Sequence, residues 1–326
     1  MPRPCTVVIC TRDRPEALDR CLGAVSALDY PSFDVLVVDN GSSATGTREV
    51  AERWGARCTV EPRPGLSRAR NRGARESQGD LIAYLDDDAL PEPGWLAALE
   101  RELDDPAVMA VAGRIRPTRL ETAAECLFEA TGGFTPNRGS RRVVDTDTPG
   151  WFGLTNFGGV GTGASMAFRR AAFDRWPGFD PRLGLGGSIR GGEEHYAFFC
   201  LVELGYRVVY APAAVVRHPY PATLADLRAR HVATVGSSAA YLLHLLLEAP
   251  RCRRLALAFA LRGLRGAGPP PVAAAERARL GPWWQTYLTA LGGALGYAWQ
   301  RGVQVGRVAP TPDRPHARPV AALPPR

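Results

Sequence analysis

Apolar, strand-like runs alternate with helical runs over roughly the first hundred residues, which predicts an α/β fold with a mostly parallel, twisted sheet and helices on both faces. Beyond Ala222 the chain turns to helices rich in Ala, Leu and Arg, which predicts a helical C-terminal extension. Length is the third observation: 326 residues fit one α/β body of about 200 to 250 residues with an appendage better than two equal domains. The expected division is 1–221 for the body, 222–307 for the extension and 308–326 for a Pro-rich tail whose composition favours disorder.

Taken in order, strands are expected at Thr6 to Cys10, Val35 to Asp39, Arg57 to Glu61 and Leu81 to Leu85, separated by helices at Glu16 to Leu28, Thr47 to Trp54 and Leu66 to Ser77. Another helix should open near Pro93. In such sheets ligands bind beyond the carboxyl ends of the strands. Residues 114–157, rich in Gly, Thr, Arg and Pro without clear periodicity, read as a long loop or excursion over that edge. Regularity resumes with Gly163 to Phe168, a short helix from Arg170 to Trp176 and a turn at Pro177-Gly178-Phe179-Asp180. A Gly-rich stretch then leads to Gly192, a helix from Glu193 to Leu204, and strands at Arg207 to Tyr210 and Ala214 to His218. The later helices are interrupted from Gly266 to Pro271.

All 40 basic residues are arginine, and the absence of lysine excludes any chemistry that needs one. A net charge of +7 suits phosphate-rich ligands or an anionic membrane surface, but the arginines are scattered, which argues against nucleic acid as partner. The seven cysteines form no CxxC pair and several lie in apolar runs, so a reducing, cytoplasmic setting is expected. The N-terminus carries no secretory pattern, and no run reaches the roughly 20 apolar residues of a spanning helix. Two apolar segments edged by arginine, Ser238 to Leu247 and Leu255 to Leu264, fit either peripheral association with the inner face of a membrane or packing on the body.

Chemistry concentrates at the ends of the predicted strands. Tyr84-Leu85-Asp86-Asp87-Asp88 places three carboxylates directly after an apolar strand, where they repel one another unless cations neutralise them. Acid runs in loops are ordinarily solvated turns. The strand-end position favours instead a hard divalent ion, Mg²⁺ or Mn²⁺, bridging carboxylates to diphosphate oxygens. Asp39-Asn40-Gly41 closes another strand and can hydrogen-bond a base or ribose, although such residues are also ordinary turn formers. Glu193-Glu194 opens a helix after Gly191-Gly192, as helix-capping acids or as catalytic ones. His218 ends the last strand, where a lone histidine is more often structural than a ligand.

Together these features, in this order, resemble the family 2 glycosyltransferases of the Rossmann-like GT-A fold. The matching stretches are VVICTRDRPEALDRCL, VLVVDNGS, GLSRARNRGAR, YLDDDALPEPGWL, GASMAFRRAAF, GFD and GGEEHYAFFCLVELGYRVVYAPAAVVRH, roughly residues 5 to 218. The resemblance implies inverting transfer of a hexosyl or deoxyhexosyl group from a UDP- or dTDP-sugar to a hydroxyl of a glycan, lipid-linked saccharide or small molecule. It places Thr11, Arg12, Asp39, Asn40, Arg70, Asp86 and Asp87 on the donor. Asp86 and Asp88 are the outer acids of the DXD motif, with Asp88 holding the metal and His218 completing the site. Glu194 falls where the family usually has the catalytic Asp of a Glu-Asp pair, with Glu193 beside it, and is one methylene longer. Many members have a second Asp where this chain has Asn40, which leaves the base open.

Other classes fit less well. Sugar nucleotidyltransferases and haloacid-dehalogenase phosphatases need a lysine, and adjacent acids at a helix start do not flank one bond as a glycoside hydrolase requires. The non-enzymatic alternative is an inactive scaffold that binds sugar nucleotides.

Overall fold

The computed structural model describes residues 2–43, 46–134, 139–264 and 283–305. Strands β1 (Cys5–Thr11), β2 (Phe33–Asp39), β3 (Arg57–Val60) and β4 (Leu81–Asp86) pair in parallel and are linked through α1 (Pro15–Val25), α2 (Gly46–Arg53) and α3 (Leu66–Glu76). Then come β5 (Leu90–Pro91), α4 (Trp95–Arg101), β6 (Val108–Pro117), α5 (Ala123–Ala130), β7 (Arg142–Val144) and α6 (Trp151–Asn156). The body closes with β8 (Ser165–Arg169), α7 (Ala172–Arg175), α8 (Glu193–Glu203) and β9 (Arg207–His218). The nine described strands form one sheet in the order β3-β2-β1-β4-β8-β6-β9-β5, with β7 also paired to β9. β6 and β9 run with the first four strands, and β5, β7 and β8 run against them, so the sheet is mostly parallel as expected.

Alternation along β1 divides the core. Val7 and Ile9 pack with Leu18, Leu22, Trp95 and Leu99 on one face, while Val8 packs with Ala69, Phe168 and Phe198 on the other. Gly73 of α3 is needed for this second contact, because a Cβ there would lie 2.4 Å from Val8 Cγ1. Beneath the site loops Tyr84, Phe168, Trp176, Phe179 and Phe198 are fully buried, and rings such as Tyr84 and Phe179 meet edge to face at 5.4 Å.

The extension comprises α9 (Leu224–Glu248), a turn at Pro250–Cys252, α10 (Arg253–Leu264) and α11 (Trp283–Val305). Tyr241 and Leu245 of α9, Ala256 of α10 and Tyr297 of α11 form a third cluster with Phe152 of α6 and Phe199 of α8. Helices α9 and α11 cross backbone to backbone: a Cβ on Gly293 would stand 2.1 Å from the Gly236 carbonyl oxygen. No single described helix is long and apolar enough to cross a membrane, and α9 and Pro250–Arg262, which reach that length together, are bent by 106°.

The structure departs from expectation in two places and favours one of two open readings in a third. Residues 114–157 are not loop throughout: their described residues hold the end of β6, the capped helix α5, strand β7 and α6. Their elements are too short to show a period, and their order comes from tertiary contact, with β7 pairing along β9 and α5 and α6 packing against α9 and α8. The two strands expected at Arg207 to Tyr210 and Ala214 to His218 are one, β9, whose register against β6 shifts between Gly113 and Arg114 to accommodate Pro212. Ser238 to Leu247 turns Ala240, Tyr241, His244 and Leu245 inward, so this segment packs on the body. The Gly266 to Pro271 break and the Pro-rich tail lie outside the described residues.

Candidate active site

The carboxyl ends of β1, β2 and β4 meet at one edge. Asn40 N–H donates to the Thr11 carbonyl at 2.8 Å, and Asp39 accepts from Ser42 N–H at 2.8 Å, which folds the turn after β2. Asn40 is buried and its Oδ1 accepts Gly65 N–H at 3.1 Å, so it anchors the approach to α3. Between β1 and α1, Asp13 takes a left-handed φ of 54°. An Asp tolerates that conformation, and its carboxylate accepts from Ser43 N–H at 2.7 Å, tying the two strand-end loops together. Arg12 beside it is half exposed.

The three acids after β4 have different surroundings. Asp87 is buried, accepts from Thr11 Oγ1 at 2.7 Å and from Arg14 at 2.7 Å, and burial outweighs both contacts to push its carboxyl up to about 6. Asp88 is desolvated too, but the hydrogen bond and charge of His218, with help from Arg14, overcome that penalty and hold it well below the usual carboxylate range. His218 Nε2 lies 3.0 Å from Asp88 Oδ1 and 3.9 Å from Asp86 Oδ2. Burial opposes the imidazolium, yet Asp88 and then Asp86 raise its pKa. One donor atom from each of Asp86, Asp88 and His218 falls within 4.8 Å of the others. Two carboxylate oxygens and an imidazole nitrogen this close together could hold a divalent metal ion.

Helix α3 links this cluster to the second pair of acids. Arg70, buried, donates to Glu193 Oε1 at 2.7 Å and to the Gly163 carbonyl at 3.3 Å, and stands 3.5 Å from Asp86 Oδ1. Burial and the neighbouring Glu194 raise Glu193 to about 7 despite that arginine. Glu194 moves the other way: burial is opposed by the charges of His195 and Arg70 and by backbone N–H donors, which together lower it. Its Oε1 accepts Gly163 N–H at 3.4 Å and lies 4.0 Å from His195 Nε2, while its Oε2 has no hydrogen-bond partner among the described residues. The same helix orders the loop before α8. Ser67 donates to the Leu183 carbonyl at 2.7 Å, Leu66 N–H to that of Leu185 at 2.8 Å, and the Asn71 amide brackets Phe179 with bonds of 2.7 and 2.8 Å.

Asp86, Asp88 and His218 thus converge with Glu193 and Glu194, through Arg70. Thr11 joins them through Asp87, whereas Asp39, Asn40 and Arg12 line the strand ends without touching the acids. The profile of glycosyl transferase family 2 matches residues 6–175. The chain belongs to that family. Pre-mycofactocin glycosyltransferase of Mycobacterium tuberculosis is 30% identical over 244 residues, 73% of this chain and 47% of that protein. Glucosyl-dolichyl phosphate glucuronosyltransferase of Haloferax volcanii is 28% identical over 225 residues, 65% of this chain and 68% of that protein. The chain spans about half the length of the first of these relatives. Among solved structures, the mannosyltransferase PcManGT of Pyrobaculum calidifontis, in complex with GDP-Man and Mn²⁺, superposes with a TM-score of 0.57 at 20% identity, over 93% of this chain and 88% of that one. This likeness supports the GT-A fold.

Two side chains in this family 2 site were not singled out from sequence. Arg14 forks across Asp87 Oδ1 and Asp88 Oδ2 at 2.7 Å each, where its neighbour Arg12 had been expected on the donor. Arg230 of α9 lies 4.4 Å over the Phe134 ring, which itself stands 4.7 Å from the His218 ring. The charge of Arg230 reaches Asp86 and Glu194. No local signal marked Arg14 among 40 basic residues, and Arg230 stood out only as one of the arginines edging the apolar segments of the extension.

Proposed function

We propose that this chain transfers a hexosyl or deoxyhexosyl group from a nucleotide-diphosphate sugar to an acceptor hydroxyl, with inversion at the anomeric carbon. The observation that carries this is the convergence of Asp86, Asp88 and His218 at the end of β4, with Glu194 held across Arg70 from them. Asp86, Asp88 and His218 would hold a Mg²⁺ or Mn²⁺ ion, which when bound offsets charge developing on the departing diphosphate. Arg14 and Arg70 supply fixed positive charge beside the same acids. Glu194 accepts the proton of the attacking hydroxyl: its lowered pKa keeps it ionised at neutral pH, and its Oε2 is unpartnered among the described residues. Glu193 positions it by fixing Arg70 and the start of α8. Thr11, Arg12, Asp39 and Asn40 form the nucleotide end.

The donor proposed is a UDP- or dTDP-sugar, and GDP-mannose is the comparison arm because the mannosyltransferase neighbour was solved with it. Thermal-shift binding with and without Mn²⁺, followed by transfer assays on the responding donor and proton NMR of the product anomer, tests the proposal. Retention of configuration removes the inverting assignment. Donor binding without hydrolysis or transfer to any hydroxyl acceptor leaves a sugar-nucleotide-binding scaffold. Glu194→Gln should lose most of kcat, about a hundredfold or more, with donor affinity nearly unchanged. Parallel loss of donor binding and turnover would assign Glu194 to the donor site instead.

A further inference from the structure

The face of α11 turned from α9 carries Leu288, Leu291, Leu295 and Trp299, which are 61%, 56%, 60% and 76% exposed. Their spacing of three, four and four residues is that of a single helical stripe. Helix α10 adds Leu257 and Leu261, 53% and 44% exposed. Isolated exposed leucines are ordinary, but a continuous stripe is the mark of a covered surface.

Charge selects what covers it. Neither α10 nor α11 contains an Asp or Glu, and their charged residues are Arg253, Arg254, Arg262 and Arg301. Arg301 is held by Glu248 at 3.1 Å, and Arg253 donates to the Leu246 carbonyl at 2.7 Å. Arg251, Arg254 and Arg262 are exposed and form no ion pair with a described residue. A second copy of the chain meeting it through the same face would set arginine against arginine with no acid from either helix between them. A bilayer bearing anionic headgroups supplies both the apolar boundary and the phosphate charges.

We propose that α10 and α11 seat the protein on an anionic lipid surface, with the Leu288–Trp299 stripe at the boundary of headgroups and acyl chains and Arg251, Arg254 and Arg262 on lipid phosphates. This surface differs from Ser238 to Leu247, whose apolar side is inside the fold. Binding to lipid needs no sugar donor, so it stands or falls apart from the transfer chemistry.

The test is flotation of the full chain, without donor, on phosphatidylcholine vesicles prepared with or without phosphatidylglycerol. Binding should require phosphatidylglycerol and weaken with salt. Leu291→Glu with Leu295→Glu should lower the bound fraction about tenfold, and Arg254→Glu with Arg262→Glu should remove the preference for anionic lipid. All four positions are exposed, and matching circular-dichroism melting curves check that the variants fold. Equal or absent binding to the two vesicle types overturns the proposal. So does a concentration-dependent dimer that Leu291→Glu dissociates while vesicle binding is unchanged.

Discussion

Asp87 and Asp88 are adjacent, yet their partners divide the work of the acid run between fold and ligand. Asp87 is enclosed, with both oxygens engaged by Thr11 and Arg14. Asp88 faces His218 across the point where donor atoms converge. Asp88→Ala should therefore abolish the Mn²⁺-dependent part of donor binding in a thermal-shift titration while the ligand-free melting temperature changes little. Asp87→Ala strands a buried threonine hydroxyl and should cost about 1–3 kcal/mol of stability, read from denaturant unfolding, with metal-dependent donor binding retained in the folded fraction. A metal response undiminished in Asp88→Ala would refute the assignment. The acids were legible because an apolar strand ends abruptly in charge at Asp86. Arg14 was not, because its role is fixed by a contact 73 residues along the chain.

Among the elements, the loop from Gly178 to Gly192 was legible as glycine-rich but not in its meaning. Its glycines suggest a flexible approach to α8; Gly184, Gly186 and Gly192 take φ values of 88°, 85° and 87°, and α3 fastens the first half of the loop at Phe179, Leu183 and Leu185. Glycine here provides a left-handed backbone. Gly192→Ala adds a Cβ 3.1 Å from the Tyr241 ring at that positive φ and should cost about 1–3 kcal/mol, measured by thermal melting. Helix α11 gives a sharper case. Alanine usually stabilises a helix relative to glycine by about 1 kcal/mol, but at Gly293 its Cβ would collide with the Gly236 carbonyl. Gly293→Ala should therefore destabilise and loosen α11 from α9, seen as faster amide hydrogen exchange in both helices. Gly292→Ala, with open space around its Cβ, should not. Such crossings have no sequence period, which is why the packing of the extension was legible from sequence only as one of two readings.

At the scale of the whole molecule, body and extension meet at a buried polar cluster. His244 of α9 is fully buried, with Nδ1 2.9 Å from Tyr297 Oη of α11 and Nε2 4.0 Å from Asp180 of the loop. Arg182 bridges Asp180 and Glu248, and Arg301 reaches Glu248 from α11. Burial, reinforced by Arg182, lowers His244 from 6.5 to about 4. The unfolded chain therefore takes up a proton as pH falls through 6.5, and the native chain resists until about 4. The contribution of the neutral imidazole is intact above the upper value and is lost towards the lower one, a change of about 3 kcal/mol if the whole shift is expressed. Comparing unfolding free energies of His244→Asn and the unaltered chain across this interval isolates the effect, since His218, whose pKa is raised, acts in the opposite sense in both. Parallel pH profiles would show that His244 does not titrate on unfolding. From sequence, the helical character of the C-terminal part was visible in composition, but the seam was not, because its members come from three separate stretches.

Fastening the glycine loop to α3 also bears on the tempo of turnover. A segment held by hydrogen bonds at Phe179, Leu183 and Leu185 opens there only by breaking them, so this half of the loop is expected to behave as a template completed during folding. The ordering entropy of Glu193 and Glu194 is then settled before any sugar arrives, and an acceptor must match a mould already cast.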